Sequence, residues 1–156
     1  MRADILRESK RSFAARAQGR TVQGVDRRAK NVVIRLDGDH VIAVNLGMTG
    51  RLLPFPTPPR GHTKPKHPAV RFRFHSGGVL IFDDTRRFGT VECVSAADWG
   101  ERSSRMGPEP LEESYTTEML HAGLSSSRSP VRSWLLDQRR IAGIGNIYAA
   151  EALFIA

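Results

Sequence analysis

Residues 31–46 read NVVIRLDGDHVIAVNL. Two apolar, β-branched runs, Asn31 to Leu36 and Val41 to Leu46, flank Asp37-Gly38-Asp39-His40. Branched side chains suit a pleated strand, and Asp-Gly chemistry suits the tight turn of a hairpin. The stretch therefore reads as an antiparallel hairpin and makes the first half of the chain a β structure. Met48 to Leu53 is expected to continue the same sheet. Ala69 to His75 alternates, so Val70, Phe72 and Phe74 are expected to face a core while Arg71, Arg73 and His75 face out. Ser76-Gly77-Gly78 turns the chain, Val79 to Phe82 returns, and Phe88 to Val94 forms one more strand. Residues 54–68 carry Pro54, Pro56, Pro58, Pro59, Pro65 and Pro68, which predicts a loop, because proline cannot donate to a ladder.

Outward from this half, residues 1–20 are basic and Ala-rich and read as a weak helix or a frayed end. Residues 95–112 form a polar connection containing Gly107-Pro108-Glu109-Pro110. Beyond it the period becomes helical. Tyr115 to Leu124 is expected as a short helix capped by Ser114. A second helix starts at Ser129 and Pro130 and ends near Asp137, and a third, Ile147 to Ala156, is capped by Asn146. Trp134, Leu135, Ile147, Tyr148, Leu153 and Phe154 read as its core. The expected fold class is α+β, with an antiparallel, sandwich-like β half over residues 1–94, a linker over 95–112 and a helical domain over 113–156.

Composition narrows the function classes. The 156 residues carry a net charge of +8, mostly as Arg, with a sequence pI near 10.7. Such an excess favours a polyanionic partner, since each cation meeting a phosphate releases counterions. An Arg-rich codon bias would give the same composition. Cys93 is alone, which excludes an intrachain disulfide and a cysteine-built zinc site; it reads as a small core residue. No apolar run is long enough to span a bilayer, and residues 1–20 do not read as a secretory leader, so the expected location is cytoplasmic.

Several segments carry chemistry. Lys30 follows Arg27-Arg28-Ala29 and opens an apolar strand; a Lys there grips a phosphate, or moves a proton if its neighbours lower its pKa, or is simply a solvated strand end. Met48 lies in Leu46-Gly47-Met48-Thr49-Gly50-Arg51-Leu52, and Arg86 and Phe88 lie in Asp83-Asp84-Thr85-Arg86-Arg87-Phe88-Gly89. An unbranched Met, an Arg and a Phe suit the filling of a gap in a base stack, although Met48 and Phe88 equally suit a core. Asp83 and Asp84 beside Arg86 and Arg87 also fit a turn held by ion pairs, or a metal-dependent nuclease, but no further acidic cluster or paired His supports the latter. Gly143 and Gly145 admit close backbone approach to a phosphate, and Asn146 adds a donor at a helix start, with Arg128 and Arg132 near the preceding helix start.

These segments, with Trp134-Leu135-Leu136-Asp137 and Gly143-Ile144-Gly145-Asn146-Ile147-Tyr148-Ala149, closely resemble the formamidopyrimidine-DNA glycosylase family in order and spacing, from about Thr21 to Ala156. Gly107-Pro108-Glu109-Pro110-Leu111 fits as well, with Met106 where the family usually has leucine. Gly47-Met48-Thr49-Gly50 looks more like this branch than the related endonuclease VIII branch. The resemblance implies a partial N-terminal glycosylase domain and a partial helix–two-turn–helix domain. It implies base-excision repair of oxidised purines in double-stranded DNA, with abasic-strand nicking, by a monomer at the bacterial nucleoid. By the same resemblance Lys30 is an auxiliary catalytic residue in strand elimination and phosphate binding. Met48, Arg86 and Phe88 enter the duplex, and His67, Asn146, Arg128 and Arg132 contact DNA. Pro68-Ala69 after His67 departs from the family's usual acidic-His pair.

The family's nucleophile, an N-terminal proline amine followed by glutamate, has no counterpart in Met1-Arg2-Ala3-Asp4, and its four-cysteine zinc finger has none either. Both ends of the enzyme are therefore expected to lie outside this chain. The expectation is no cofactor or metal in these residues, no activity of the chain alone, and exposed apolar surface on the β half. The alternative is a non-catalytic damaged-DNA-binding protein. An RNA-binding helix–two-turn–helix protein of the ribosomal kind leaves the β half and Met48 unexplained.

Overall fold

The computed structural model describes residues 5–156; the Met1-Arg2-Ala3-Asp4 start lies outside the described residues. The chain divides into two compact units: Met1–Asp26 with Asn31–Ser95, and Arg27–Lys30 with Ala96–Ala156.

In the first unit, α1 (Lys10–Ala17) precedes seven strands: β1 (Val22–Arg28), β2 (Asn31–Leu36), β3 (His40–Asn45), β4 (Gly50–Phe55), β5 (Pro68–Arg73), β6 (Val79–Asp84) and β7 (Thr90–Ser95). They form two sheets, ordered β1-β2-β3-β7 and β4-β6-β5. The quoted hairpin pairs as expected, Asn31 opposite Asn45 and Leu36 opposite His40. The inner faces meet in one core. Ile34, Leu36, Ile42, Val44, Val91 and Cys93 come from the first sheet, and Phe82, Leu52, Val70, Phe72 and Leu80 from the second.

Four readings of this half are corrected. Met48 to Leu53 does not continue the first sheet: Gly47 turns at φ +61°, Gly50 N–H bonds back to the Leu46 carbonyl, and β4 opens the second sheet. Pro54 lies within β4 and is tolerated because β4 is an edge strand. Phe88 is exposed in the loop before β7, and Phe74 lies beyond the end of β5 at 43% exposure. Residues 1–20, read as a weak helix or a frayed end, hold the helix. The Ser9 side chain caps it by accepting from Ser12 N–H, and Phe13 is buried against Phe72, the ring centroids 6.1 Å apart. Cys93 is fully buried, as expected, and burial raises its thiol pKa.

In the second unit, α2 (Ala96–Ser104) lies within the residues read as a polar connection. It is followed by α3 (Thr117–Ser125), α4 (Val131–Leu136) and α5 (Asn146–Ile155). Thr116, not Ser114, caps α3, accepting from Met119 N–H. Pro130 precedes α4, and Gly145 takes the cap position of α5, so Asn146 is its first residue. The core is Trp134, Leu135, Ile141 and Ala149, packed by Tyr115, Leu120, Leu124, Leu136 and Ile144. Ile147, Tyr148, Leu153 and Phe154 are exposed, against expectation. Ala149 is the one residue of α5 that is fully buried, and no described element covers the remaining faces.

Phe13 is the buried residue of α1. Phe13→Ala should lower stability by about 3 kcal/mol, the usual cost of deleting a buried phenyl group. Urea unfolding followed by circular dichroism measures it, and an unchanged midpoint contradicts this packing.

Candidate nucleic-acid interface

In the first unit Met48, Arg86 and Phe88 come together at the tips of two turns. The Arg86 guanidinium carbon lies 4.6 Å from the Phe88 ring centroid, and Arg86 Nη1 donates to Met48 Sδ at 3.1 Å. Met48 is 71% exposed and Phe88 56%. Neither is a core residue, which removes the plainer reading of both.

Asp84 fixes these turns. It is fully buried, and its Oδ1 accepts from Thr49 Oγ1 and from Arg86 N–H, while its Oδ2 accepts from Gly89 N–H at 2.9 Å. One carboxylate thus ties the turn carrying Met48 to the turn carrying Arg86 and Phe88. Burial alone would raise its pKa, but the bonds from Thr49, Gly89, Arg86 and Arg87 outweigh burial and hold it below the ordinary aspartate value. The backbones also pack closely, since a Cβ on Gly47 would lie 2.8 Å from the Gly89 nitrogen. Arg87, between Arg86 and Phe88, sits at φ +55°, a conformation that costs a non-glycine residue about 1 kcal/mol.

Asp83 is equally buried. It accepts from Arg51 Nη2 at 2.8 Å and from His67 N–H at 2.7 Å, and Asp84 N–H donates to the His67 carbonyl. His67 is therefore held by its backbone while its side chain stays exposed. Arg51, not Arg86 or Arg87, is the cation paired with Asp83.

In the second unit Lys30 follows Ala29, which sits at φ +51°. The Ala29 N–H donates to Glu109 Oε1 at 2.6 Å, and Arg28 Nη1 donates to the same oxygen at 2.9 Å. Arg27 Nη1 lies 2.7 Å from Glu109 Oε2, an ion pair not aligned as a hydrogen bond, and donates to the Ala29 carbonyl at 3.0 Å. Burial would raise the Glu109 pKa, but the Ala29 amide and the two arginines hold it below its ordinary value. The Lys30 pKa is lowered by burial.

Opposite Lys30 lies the start of α5. A Cβ on Gly145 would stand 3.6 Å from Lys30 Nζ. Arg132 Nη2 donates to Asn146 Oδ1 at 3.4 Å, so Lys30, Gly145, Asn146 and Arg132 form one cluster. Gln138 shapes it: its amide donates to the Leu136 and Ile144 carbonyls and its Oε1 accepts from Gly143 N–H. Arg128 is exposed before α4, and among the described residues no hydrogen bond or ion pair joins it to the cluster.

Residues 1–91 match the formamidopyrimidine-DNA glycosylase N-terminal domain, and residues 106–156 match the formamidopyrimidine-DNA glycosylase H2TH domain. The chain belongs to the formamidopyrimidine-DNA glycosylase family. A relative from Chloroflexus aurantiacus is 39% identical over 152 residues, covering 97% of this chain and 54% of its own length. One from Xanthomonas oryzae pv. oryzae is 41% identical over 140 residues, covering 88% and 50%. Among solved structures, the MutM (Fpg) protein from Thermus thermophilus is 37% identical with a TM-score of 0.76, covering 99% of this chain and 54% of its own. The Lactococcus lactis Fpg complex with abasic-site DNA is 31% identical with a TM-score of 0.78, covering 92% and 52%. The chain spans about half the length of the curated relatives it matches.

Asp84, Glu109 and Gln138 are the residues that sequence reasoning does not single out for these roles. Sequence alone offers Asp84 as an ion-pair or metal ligand and Glu109 only as part of a linker run, and it passes over Gln138. A Gly-x-Gly turn five residues after a glutamine is the signal for the last.

Asp84 also sets a pH dependence. Its folded pKa lies below its unfolded one, so its contribution is complete above the ordinary aspartate value and is lost as pH falls through the folded value. Asp84→Asn should cost about 2 kcal/mol at neutral pH, the scale for leaving buried donors unmatched, and the variant should lack that acid-dependent loss. Urea midpoints measured from pH 7 to 3 decide it; parallel curves for the two proteins contradict the assignment.

Proposed function

We propose that this chain is the DNA-gripping and base-evicting part of a base-excision repair enzyme that removes oxidised purines and nicks the abasic strand. The observation that carries the reading is the row Met48, Arg86 and Phe88, exposed and already stacked on one another. A flipped nucleotide leaves a gap, and a flat cation lying over a ring beside a flexible thioether is shaped to fill it. The solved Lactococcus lactis relative holds abasic-site DNA, and another of its complexes holds a formamidopyrimidine lesion.

The second-unit cluster grips the strand. Uncapped amides at the start of α5, the Asn146 side chain, Arg132 and the Lys30 ammonium converge on a place for a phosphate. Its lowered pKa also suits Lys30 to proton transfer during strand elimination. His67 and Arg128 add backbone contacts. The partner is duplex DNA, the protein is a monomer, and it works at the nucleoid in the cytoplasm; among the described residues no helix is long and apolar enough to cross a membrane. The family's zinc finger needs four thiolates, and these residues do not fit it, since the single cysteine is buried in the sandwich core. The reading includes no cofactor in this chain. Schiff-base chemistry belongs to a proline amine of the full enzyme.

Two experiments test this. Met48→Ala with Phe88→Ala should reduce the preference for an abasic-site duplex over an undamaged one by about tenfold or more, leaving undamaged-duplex affinity unchanged. Retained preference would overturn the wedge assignment. Borohydride trapping of the 156-residue chain on abasic-site DNA should stay at background; a strong cross-link that disappears in Lys30→Ala would instead make Lys30 the nucleophile.

A further inference from the structure

The outer face of the β4-β6-β5 sheet carries a feature that the wedge and the α5 cluster do not use. Val70, Phe72, Leu80 and Phe82 face the sandwich core, so Arg71 and Arg73 face away from it, beside Ile81 and Val79. The proline-rich loop folds over this face. Pro58, Pro59, Lys64, Arg71, Arg73 and Val79 enclose a groove of about 350 Å³.

Three of those six side chains are cationic and none is acidic. Lys64, Arg71 and Arg73 are exposed, and among the described residues none has a side-chain hydrogen bond or ion pair. Arg51 on the same face differs, for it is neutralised by Asp83. Arg71 and Arg73 stand two residues apart on one face, about 7 Å, and Lys64 closes the set from the loop. Cations on an edge strand also discourage edge pairing, but that leaves unexplained why a loop lysine and two prolines wall them into a groove.

We infer that this groove is a further DNA-backbone site, in which Lys64, Arg71 and Arg73 hold phosphates and Pro58 and Pro59 lie against the sugars, above the buried Val79. The inference rests on the duplex-binding function proposed above. Charge complementarity selects the occupant, because guanidinium pairs bind phosphate bidentately and the chain carries +8 overall. Position supports it. The His67 amide bonds Asp83 at the other end of the same face, and Val79 to Asp83 spans about 13 Å. One strand of a duplex presents a charge about every 3.4 Å of axis, so His67 and the groove lie far enough apart to meet different phosphates of one strand.

The test is the salt dependence of binding to an undamaged duplex and to the same duplex with an abasic analogue. Arg71→Gln with Arg73→Gln should reduce the slope of log K against log salt by about 2 and weaken both duplexes by the same factor. Arg71→Lys with Arg73→Lys should keep most of the slope. In the unaltered chain, saturating duplex should slow acetylation of Lys64. An unchanged slope in a folded Gln pair overturns the site, as does loss of the slope in the Lys pair. Should the Gln pair not fold, unslowed Lys64 acetylation overturns it. Absence of any abasic preference in the unaltered chain would sink the wedge reading alone, since the undamaged-duplex slope still tests the groove.

Discussion

Asp84 is out of reach of water, yet it must remain ionised, because every group around it donates to it: the Thr49 hydroxyl and the amides of Arg86 and Gly89. Those donors belong to two turns far apart in sequence, and without the carboxylate each turn would have polar groups with nothing to meet. The charge is kept because local dipoles offset the cost of burial. Met48, Arg86 and Phe88 owe their common position to this arrangement. The neighbouring Asp83 repeats it for His67, using Arg51 as counter-ion.

Glu109 plays the matching part in the second unit. Its oxygens take the Ala29 amide and two guanidinium groups, which holds the Arg27–Lys30 turn against the Gly107-Pro108-Glu109 run. That run is itself fixed, Gly107 N–H bonding the Gln138 carbonyl and Ala142 N–H the Pro108 carbonyl. A Cβ at position 107 would meet the Arg140 carbonyl carbon at 2.5 Å, so the close approach requires glycine there. Lys30 is thus presented to α5 by a buried acid whose own bonds go to Arg27, Arg28 and Ala29.

What is legible in the sequence follows from distance along the chain. The β2–β3 hairpin is readable because alternation and Asp-Gly chemistry are local. The division into two sheets is not, since it depends on the left-handed Gly47 turn and on pairing of β4 with β6, which lies well downstream. Helix α1 is only faintly legible, because a single buried side chain, Phe13, leaves its charged residues to dominate the pattern. The candidate site residues are legible as types and through family resemblance, and the structure brings Met48 to Arg86 and Phe88, and Lys30 to Asn146 and Arg132. The buried acids that organise them are not, because Glu109 meets Arg28 across 81 positions. Nothing in a linear reading distinguishes such an acid from a solvated one.

Strain and exposure fall at the same places. Of the non-glycine residues with positive φ among those described, Arg87 lies between Arg86 and Phe88, Ala29 precedes Lys30, and Asp39 serves the hairpin turn. A left-handed Arg87 and a solvent-exposed Met48 and Phe88 all oppose folding, so the unliganded protein gains nothing from them. They persist because Asp84 over-determines the loop, as Glu109 does the Lys30 turn. A loop free to relax would fold Phe88 onto the surface and let Arg86 find a carboxylate. Held as it is, the row has its conformational entropy already removed, so on the function proposed above a gap in a base stack would receive three side chains that need little further ordering.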